Sequence, residues 1–178
     1  MLKVIIILFS FFNNKENISY EFINSQINES VINFKKEYKE YNYFEDEHID
    51  EISKKLNKYL NSTLEDKGEF IARYALDKNV DPYLVTAVML QETGCYWTCS
   101  KLVRSCNNVG GNKGKPSCGS GNYRKFDSIE EGIKFAIDKL ARYYNNGLTT
   151  TKQIGPKYAE DPKWPERVNN YINKLKRG

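Results

Sequence analysis

The spacing of apolar and polar positions along the chain predicts a succession of helices. Ile23, Ile27, Val31, Phe34 and Tyr38 recur three or four residues apart, the period of one helical face. Ile49, Ile52, Leu56 and Tyr59 repeat that spacing beyond the acidic run Glu45-Asp46-Glu47 and mark a second helix. Phe70, Ile71, Tyr74 and Ala75 form a third apolar face. Asp81-Pro82 predicts the start of another helix. Asp accepts hydrogen bonds from the free amides of a first turn, and Pro has no amide to leave unpaired there. Leu84, Val85, Val88 and Met89 are the buried stripe expected of it, and Gly94 is its expected stop. Ser128-Ile129-Glu130-Glu131 reads as a capping box. The helix it opens turns Ile129, Ile133, Ala136, Ile137 and Leu140 inward and ends at Asn145-Asn146-Gly147. A short helix around Thr151–Tyr158 and a last one with Val168, Tyr171, Ile172 and Leu175 complete the pattern.

Residues 105–125 interrupt it. They hold five Gly and one Pro and predict an irregular loop or short hairpin. Residues 13–60 contain no Gly, Pro or Cys and are rich in Asn, Lys, Glu and Tyr. The expected organisation is an N-terminal segment over residues 1–12, a charged helical spacer over 13–59 and a folded domain over 60–178. The fold class is mainly α, with one Gly- and Cys-rich excursion.

The N-terminus has the form of an export signal. Met1-Leu2-Lys3 precedes an apolar run from Val4 to Phe12. A spanning helix needs about 20 such residues, whereas the core of a signal peptide needs about 7–15. No small-x-small cleavage site follows, so the segment reads as a signal peptide or a short membrane anchor; a buried N-terminal strand is the alternative. The expected location is secreted or at the cell surface, outside the cytoplasm. A single apolar run excludes a polytopic membrane protein.

Charge and cysteines narrow the chemistry. The net charge is +4, split as −2 over residues 1–59 and +6 over 60–178. A basic folded region favours anionic partners such as nucleic acid, membrane surface or acidic wall polymer. His48 is the only His, which excludes any site needing two. Cys95, Cys99, Cys106 and Cys118 lie within 24 residues. In an oxidising compartment they form two disulfides, with three pairings open. A zinc site would favour paired C-x2–4-C knuckles, which this spacing lacks. No metal and no cofactor are expected.

Glu92 is the leading candidate for chemistry. It follows Val88 by four residues and Met89 by three, in the last turn of the helix begun by Asp81-Pro82. It thus borders the apolar face, where partial desolvation is expected. The negative end of the helix dipole also favours the protonated form that a general acid uses.

The surrounding motifs resemble one family. Gln91-Glu92-Thr93-Gly94 is followed by Asn107-Asn108-Val109-Gly110-Gly111. Then come Phe126-Asp127-Ser128 and Tyr158-Ala159-Glu160-Asp161-Pro162-Lys163-Trp164. In order and type this set is similar to the peptidoglycan-cleaving endo-β-N-acetylglucosaminidases, over about residues 60–178. The resemblance implies a lysozyme-like fold and cleavage of glycan strands after N-acetylglucosamine. It makes Glu92 the catalytic acid and Tyr158 the cleft tyrosine that assists it. It makes Asn107, Asn108 and Gly110 the loop that shapes the nearest sugar subsite. Tyr123 and Trp164 join them as substrate-binding rings. Asp161-Pro162 is also a helix-start signal, and Trp164 equally suits a core. The implied partner is the peptidoglycan glycan strand, and a monomer is expected.

One departure bears on mechanism. Between Glu92 and Asp127 there is no Asp or Glu, but there are six Lys/Arg: Lys101, Arg104, Lys113, Lys115, Arg124 and Lys125. Glycosidases of the usual kind set two carboxylates across the scissile bond. The lobe that carries the second one in this family is shortened here. Asp127 and Glu160 are distant candidates. A one-carboxylate route is the alternative, with either the substrate's 2-acetamido group or the muramic 6-hydroxyl as nucleophile. The second would make the protein a lytic transglycosylase cutting after N-acetylmuramic acid. A non-catalytic peptidoglycan-binding module is the third reading. Interleaved Tyr and Lys/Arg raise nucleic-acid binding, but no base-stacking or groove-reading motif accompanies them. Contact with a membrane is expected only through the N-terminal segment.

Overall fold

The structure is a computed structural model, and it describes residues 20–178. The export segment at residues 1–12 and the start of the spacer therefore lie outside the described residues. The chain divides between Glu47 and His48 into two compact units.

The first unit holds most of α1, a helix running Tyr20–Asn57. One helix stands where two were expected. The acidic run does not break it, because the stretch has no Gly or Pro and Glu is a good helix former. Along it Val31, Phe34 and Tyr38 remain exposed, at 43%, 59% and 59%. Phe34 and Tyr38 lie one turn apart with ring centroids at 6.2 Å.

The second unit takes in the end of α1, where Ile49, Ile52 and Leu56 are buried, followed by Leu60. These side chains belong to the core of this unit, which runs from His48 to Gly178. A 3-10 turn at Ser62–Leu64 leads into α2, Gly68–Asp77. Then come α3, Pro82–Thr93, and the short α4, Lys101–Cys106, which the sequence pattern did not announce. After the excursion follow α5, Ile129–Asn145, α6, Thr151–Tyr158, and α7, Trp164–Arg177. The mainly helical, lysozyme-like architecture is thus the one observed. Among the described residues, β pairing is limited to two isolated antiparallel bridges, Lys113 with Tyr123 and Ser117 with Arg124.

The start and stop signals act where they were read. Asp81 Oδ1 accepts from the Tyr83 amide at 2.8 Å, and Gly94 closes α3 at φ 68°, a left-handed conformation that Gly adopts without strain. Ser128 Oγ accepts from the Glu131 amide at 3.1 Å. Glu131 answers one residue earlier than in a standard box, accepting from the Asp127 amide at 2.9 Å. A full capping box, which the sequence reading missed, opens α6 between Thr150 and Gln153.

The main difference lies in α3. It was expected to bury one stripe, yet nine of its twelve residues are buried. It packs against α2, α5 and α7, with α7 the most extensive neighbour. A helix that is apolar nearly all round is a core helix. α7 runs antiparallel to it: Lys176 near the end of α7 reaches Asp81 at the start of α3 at 3.6 Å, and Trp164 at the start of α7 bonds to Glu92 near the end of α3.

The two halves of α1 should respond differently to truncation. Leu56→Ala, at a fully buried position, should cost about 2–5 kcal/mol. Phe34→Ala, at an exposed position, should stay within about 0.5 kcal/mol. Urea unfolding of the two variants checks this; equal losses would show that the first stripe is buried too.

Candidate active site

Glu92 is the first residue of α3 to emerge into solvent. Leu84 through Leu90 are buried, Gln91 is half-buried and Glu92 is exposed. The expected desolvation of this carboxylate is therefore not observed. What holds it is a hydrogen bond: the Trp164 indole Nε1–H donates to Glu92 Oε1 at 3.2 Å.

Trp164 opens α7 and is only 2% exposed. The sequence leaves both a substrate-binding ring and a core residue open for it. The structure makes it a core residue whose one polar atom faces the acid, which is the usual arrangement of a buried Trp. Asp161 sets it in place as a helix-start residue. Its backbone oxygen accepts from the Trp164 amide at 3.0 Å. Its carboxylate accepts from the Lys163 amide and from the Arg167 guanidinium. The Lys163 amide and the Arg167 bond hold the Asp161 carboxyl below its ordinary range.

Tyr158, the last residue of α6, lies on Trp164 with centroids 4.9 Å apart and planes 28° apart. Its hydroxyl is pushed well above the ordinary tyrosine value by burial first, then by the negative charge of Glu92 and by Tyr143. It is therefore a neutral donor throughout the physiological range. Lys139 of α5 also meets the Tyr158 ring, with Nζ 4.0 Å from the centroid, close enough for a cation–π contact. Burial lowers the pKa of Lys139, the charge of Glu92 opposes that, and Arg142 adds to the lowering. Lys139 thus interacts electrostatically with Glu92. Lys139 was not singled out in the sequence. Its signal was its place three residues after buried Ala136 and four before Tyr143, at the edge of the apolar face of α5.

The Asn107–Gly111 loop lies against the acid. A Cβ on Gly111 would be 3.6 Å from Glu92 Oε2. Two backbone devices hold the loop there. A Cβ on Gly132 would be 1.8 Å from the Asn107 carbonyl oxygen, so only Gly lets α5 approach the loop this closely. Asn108 is wholly buried and uses its amide on the loop itself. Its Nδ2 donates to the Asn112 and Arg124 carbonyls at 2.8 and 2.7 Å, and its Oδ1 accepts from the Asn112 amide at 2.9 Å. Asn107 caps α4 in a left-handed conformation and donates from Nδ2 to the Phe126 carbonyl at 3.0 Å. Gly110 is buried against the Asn112 side chain. Asn107 and Asn108 thus spend their side-chain amides on backbone groups, and Gly110 contributes backbone alone. Tyr123 stands apart in the hairpin, 45% exposed, its backbone bridged to Lys113.

The cysteines close two loops, Cys95–Cys99 and Cys106–Cys118. The second ties the end of α4, and so the start of the Asn107 loop, to the hairpin. Among the described residues no group of three or more His, Cys, Asp or Glu is placed to hold a metal ion.

Comparison with known proteins adds one finding. The sequence model of a family described as Glucosaminidase, mannosyl-glycoprotein endo-beta-N-acetylglucosaminidase, matches residues 68–177. No curated protein matches the chain at a significant level.

Two outcomes follow from this geometry. Asn108→Ala strands buried backbone groups of the loop and should cost about 3 kcal/mol in urea unfolding. A loss below about 0.5 kcal/mol would mean that water replaces the amide. The second concerns pH. The neutral Tyr158 hydroxyl stabilises the fold below the ordinary tyrosine value of about 10, and that contribution is lost as pH rises further. Tyr74, Tyr83 and Tyr144 are raised likewise. Tyr158→Phe should therefore lessen, not abolish, the alkaline fall in Tm; an unchanged fall would remove Tyr158 from the cause.

Proposed function

The chain belongs to the glucosaminidase family, and on that premise we propose that it cuts the glycan strands of peptidoglycan after N-acetylglucosamine, outside the cytoplasm, with Glu92 as general acid. The observation that carries this reading is the grip on Glu92. A carboxylate exposed at the end of a buried helix is fixed by the Trp164 indole and flanked by the Gly111 backbone. An acid that must meet a bulky polymer has to be both accessible and oriented.

In the proposed reaction the Glu92 carboxyl gives its proton to the glycosidic oxygen as the bond from C1 to that oxygen breaks. The 2-acetamido carbonyl oxygen of the same sugar bonds to C1 and forms an oxazolinium ion. Water then adds to C1 and reopens the ring, while the Glu92 carboxylate takes the water's proton. The enzyme ends as it began, and one water is consumed. This is a recognised exception to the two-carboxylate rule. It suits a chain with no Asp or Glu between residues 93 and 126. Lys139 would stabilise the carboxylate left when Glu92 gives up its proton. Tyr158, as a neutral dipole, would stabilise charge developing at C1.

The same absence of a second carboxylate favours one other reading. If the muramic 6-hydroxyl attacks C1 instead of water, the product is an anhydro sugar and the protein is a lytic transglycosylase. Among the described residues no helix is long and apolar enough to cross a membrane.

The full chain, oxidised, should release soluble fragments from purified peptidoglycan, and Glu92→Gln should lower the rate by about 100-fold or more. Borohydride reduction and mass spectrometry identify the ends. Reduced N-acetylglucosamine ends are the expected result. Anhydro-muramic ends would replace the hydrolase with a transglycosylase. Wall binding without release would leave a binding module.

A further inference from the structure

Trp97 is 81% exposed in the compact second unit. A single exposed ring is unremarkable by itself, but this one is held in place and backed by other rings. Its exposure does not come from a loose loop. The Cys95–Cys99 disulfide closes the loop at its base. The Asn61 amide donates to the Cys95 carbonyl at 3.1 Å, and Asn61 Nδ2 donates to the Tyr96 carbonyl at 2.7 Å. The Trp97 amide donates to Gly94 at 3.2 Å, and the Ser100 amide to Thr93 at 2.9 Å. The loop is held while the indole is left out.

The indole has an aromatic backing. It meets Tyr96 edge to face at 4.8 Å. Tyr96 stacks on Tyr59 at 5.7 Å and meets Tyr171 at 6.3 Å. Lys174 lies at the rim, its Nζ 5.4 Å from the Tyr96 ring and 5.7 Å from that of Tyr171. Trp97 is five residues beyond Glu92 on the same chain segment. Tyr171 is seven residues beyond Trp164 on α7, hence on the same side and about 10 Å along it.

We propose that Trp97, backed by Tyr96, Tyr59 and Tyr171 and rimmed by Lys174, is a second sugar-binding ledge that holds the glycan strand away from the bond being cut. This rests on the proposed glycan substrate. A pyranose ring presents a face of C–H bonds, positively polarised and apolar, which suits the electron-rich face of an indole. Lys174 would meet the carboxylates of stem peptides that flank such a strand. A lipid surface is the rival occupant. An indole and phenols suit either surface; the glycan is favoured because Trp97 lies on the same chain segment as Glu92, five residues on, and the test separates the two.

The test uses the full chain carrying Glu92→Gln, so that ligand is not consumed, with and without Trp97→Ala. The probe is the hexamer of N-acetylglucosamine. Of the two tryptophans, Trp97 is exposed and Trp164 is buried, so a blue shift or quench of emission on titration should come from Trp97. Trp97→Ala should lose that signal and weaken hexamer and wall binding by about tenfold. Trp97→Phe should restore most of the affinity, which a general folding defect would not allow. In the chain with Glu92 intact, release from whole wall should fall with Trp97→Ala while turnover of a short soluble fragment holds. Equal affinities for the hexamer with and without Trp97 would overturn the ledge. So would Trp97-dependent binding to anionic phospholipid vesicles with hexamer binding unchanged. A chain that binds the hexamer through Trp97 but cuts nothing would keep the ledge and sink the enzymatic reading.

Discussion

The fold of the second unit is organised around the enclosure of α3. Nine of its twelve residues are buried, so neighbours must cover it on every side. α2, α5 and α7 do so. Burying a Leu, Val or Met contributes about 1.5–3 kcal/mol each, and α3 carries Leu84, Val85, Val88, Met89 and Leu90 in a single run. The same enclosure decides where Glu92 can be. The helix ends at Gly94 as it reaches the surface, and its one exposed residue, Glu92, stands in the last turn. A rigid core element therefore carries the acid, which suits a group that has to be placed accurately.

The neighbours that enclose α3, together with α6 against α7, also supply the site. α5 brings Lys139, α6 brings Tyr158 and α7 brings Trp164, and these stack in the order cation, phenol, indole, with the indole bonded to Glu92. The contacts are individually modest, about 0.5–1.5 kcal/mol for an aromatic pair. Their effect is orientation. Each ring is immobilised by the next, so the hydrogen bond at the end of the stack is made by a donor with little freedom.

The shortened excursion after α4 reaches the acid with almost no sheet. Two isolated bridges cannot hold a loop by themselves. The buried Asn108 amide, the close approach at Gly132 and the Cys106–Cys118 bridge take over that task. Each acts on the backbone. The Asn107 and Asn108 side-chain amides are accordingly bonded to backbone carbonyls and amides, and the segment carries no carboxylate.

Much of this was legible in the residues. Asp81-Pro82 and Gly94 bound α3, Ser128 opens α5, and Thr151–Tyr158 is a helix as its pattern predicts, because caps and breakers act within one turn and need no tertiary partner. The mainly helical class followed from the same local signals, and the ordered motifs pointed to the family. Burial was not legible. The stripe of Val31, Phe34 and Tyr38 and the stripe of Ile49, Ile52 and Leu56 look alike in sequence, yet the first is exposed and the second is core. Periodicity says which residues share a face, but only the neighbours decide whether that face is covered. For the same reason Trp164 proved to be a buried clamp and Trp97 the exposed ring, and Lys139 entered the site from a helix 47 residues beyond Glu92. Side-chain chemistry was set by the sequence; which groups meet, and which of them meet water, was decided by the packing of α3, α5, α6 and α7, because contact and desolvation depend on distance in space rather than along the chain.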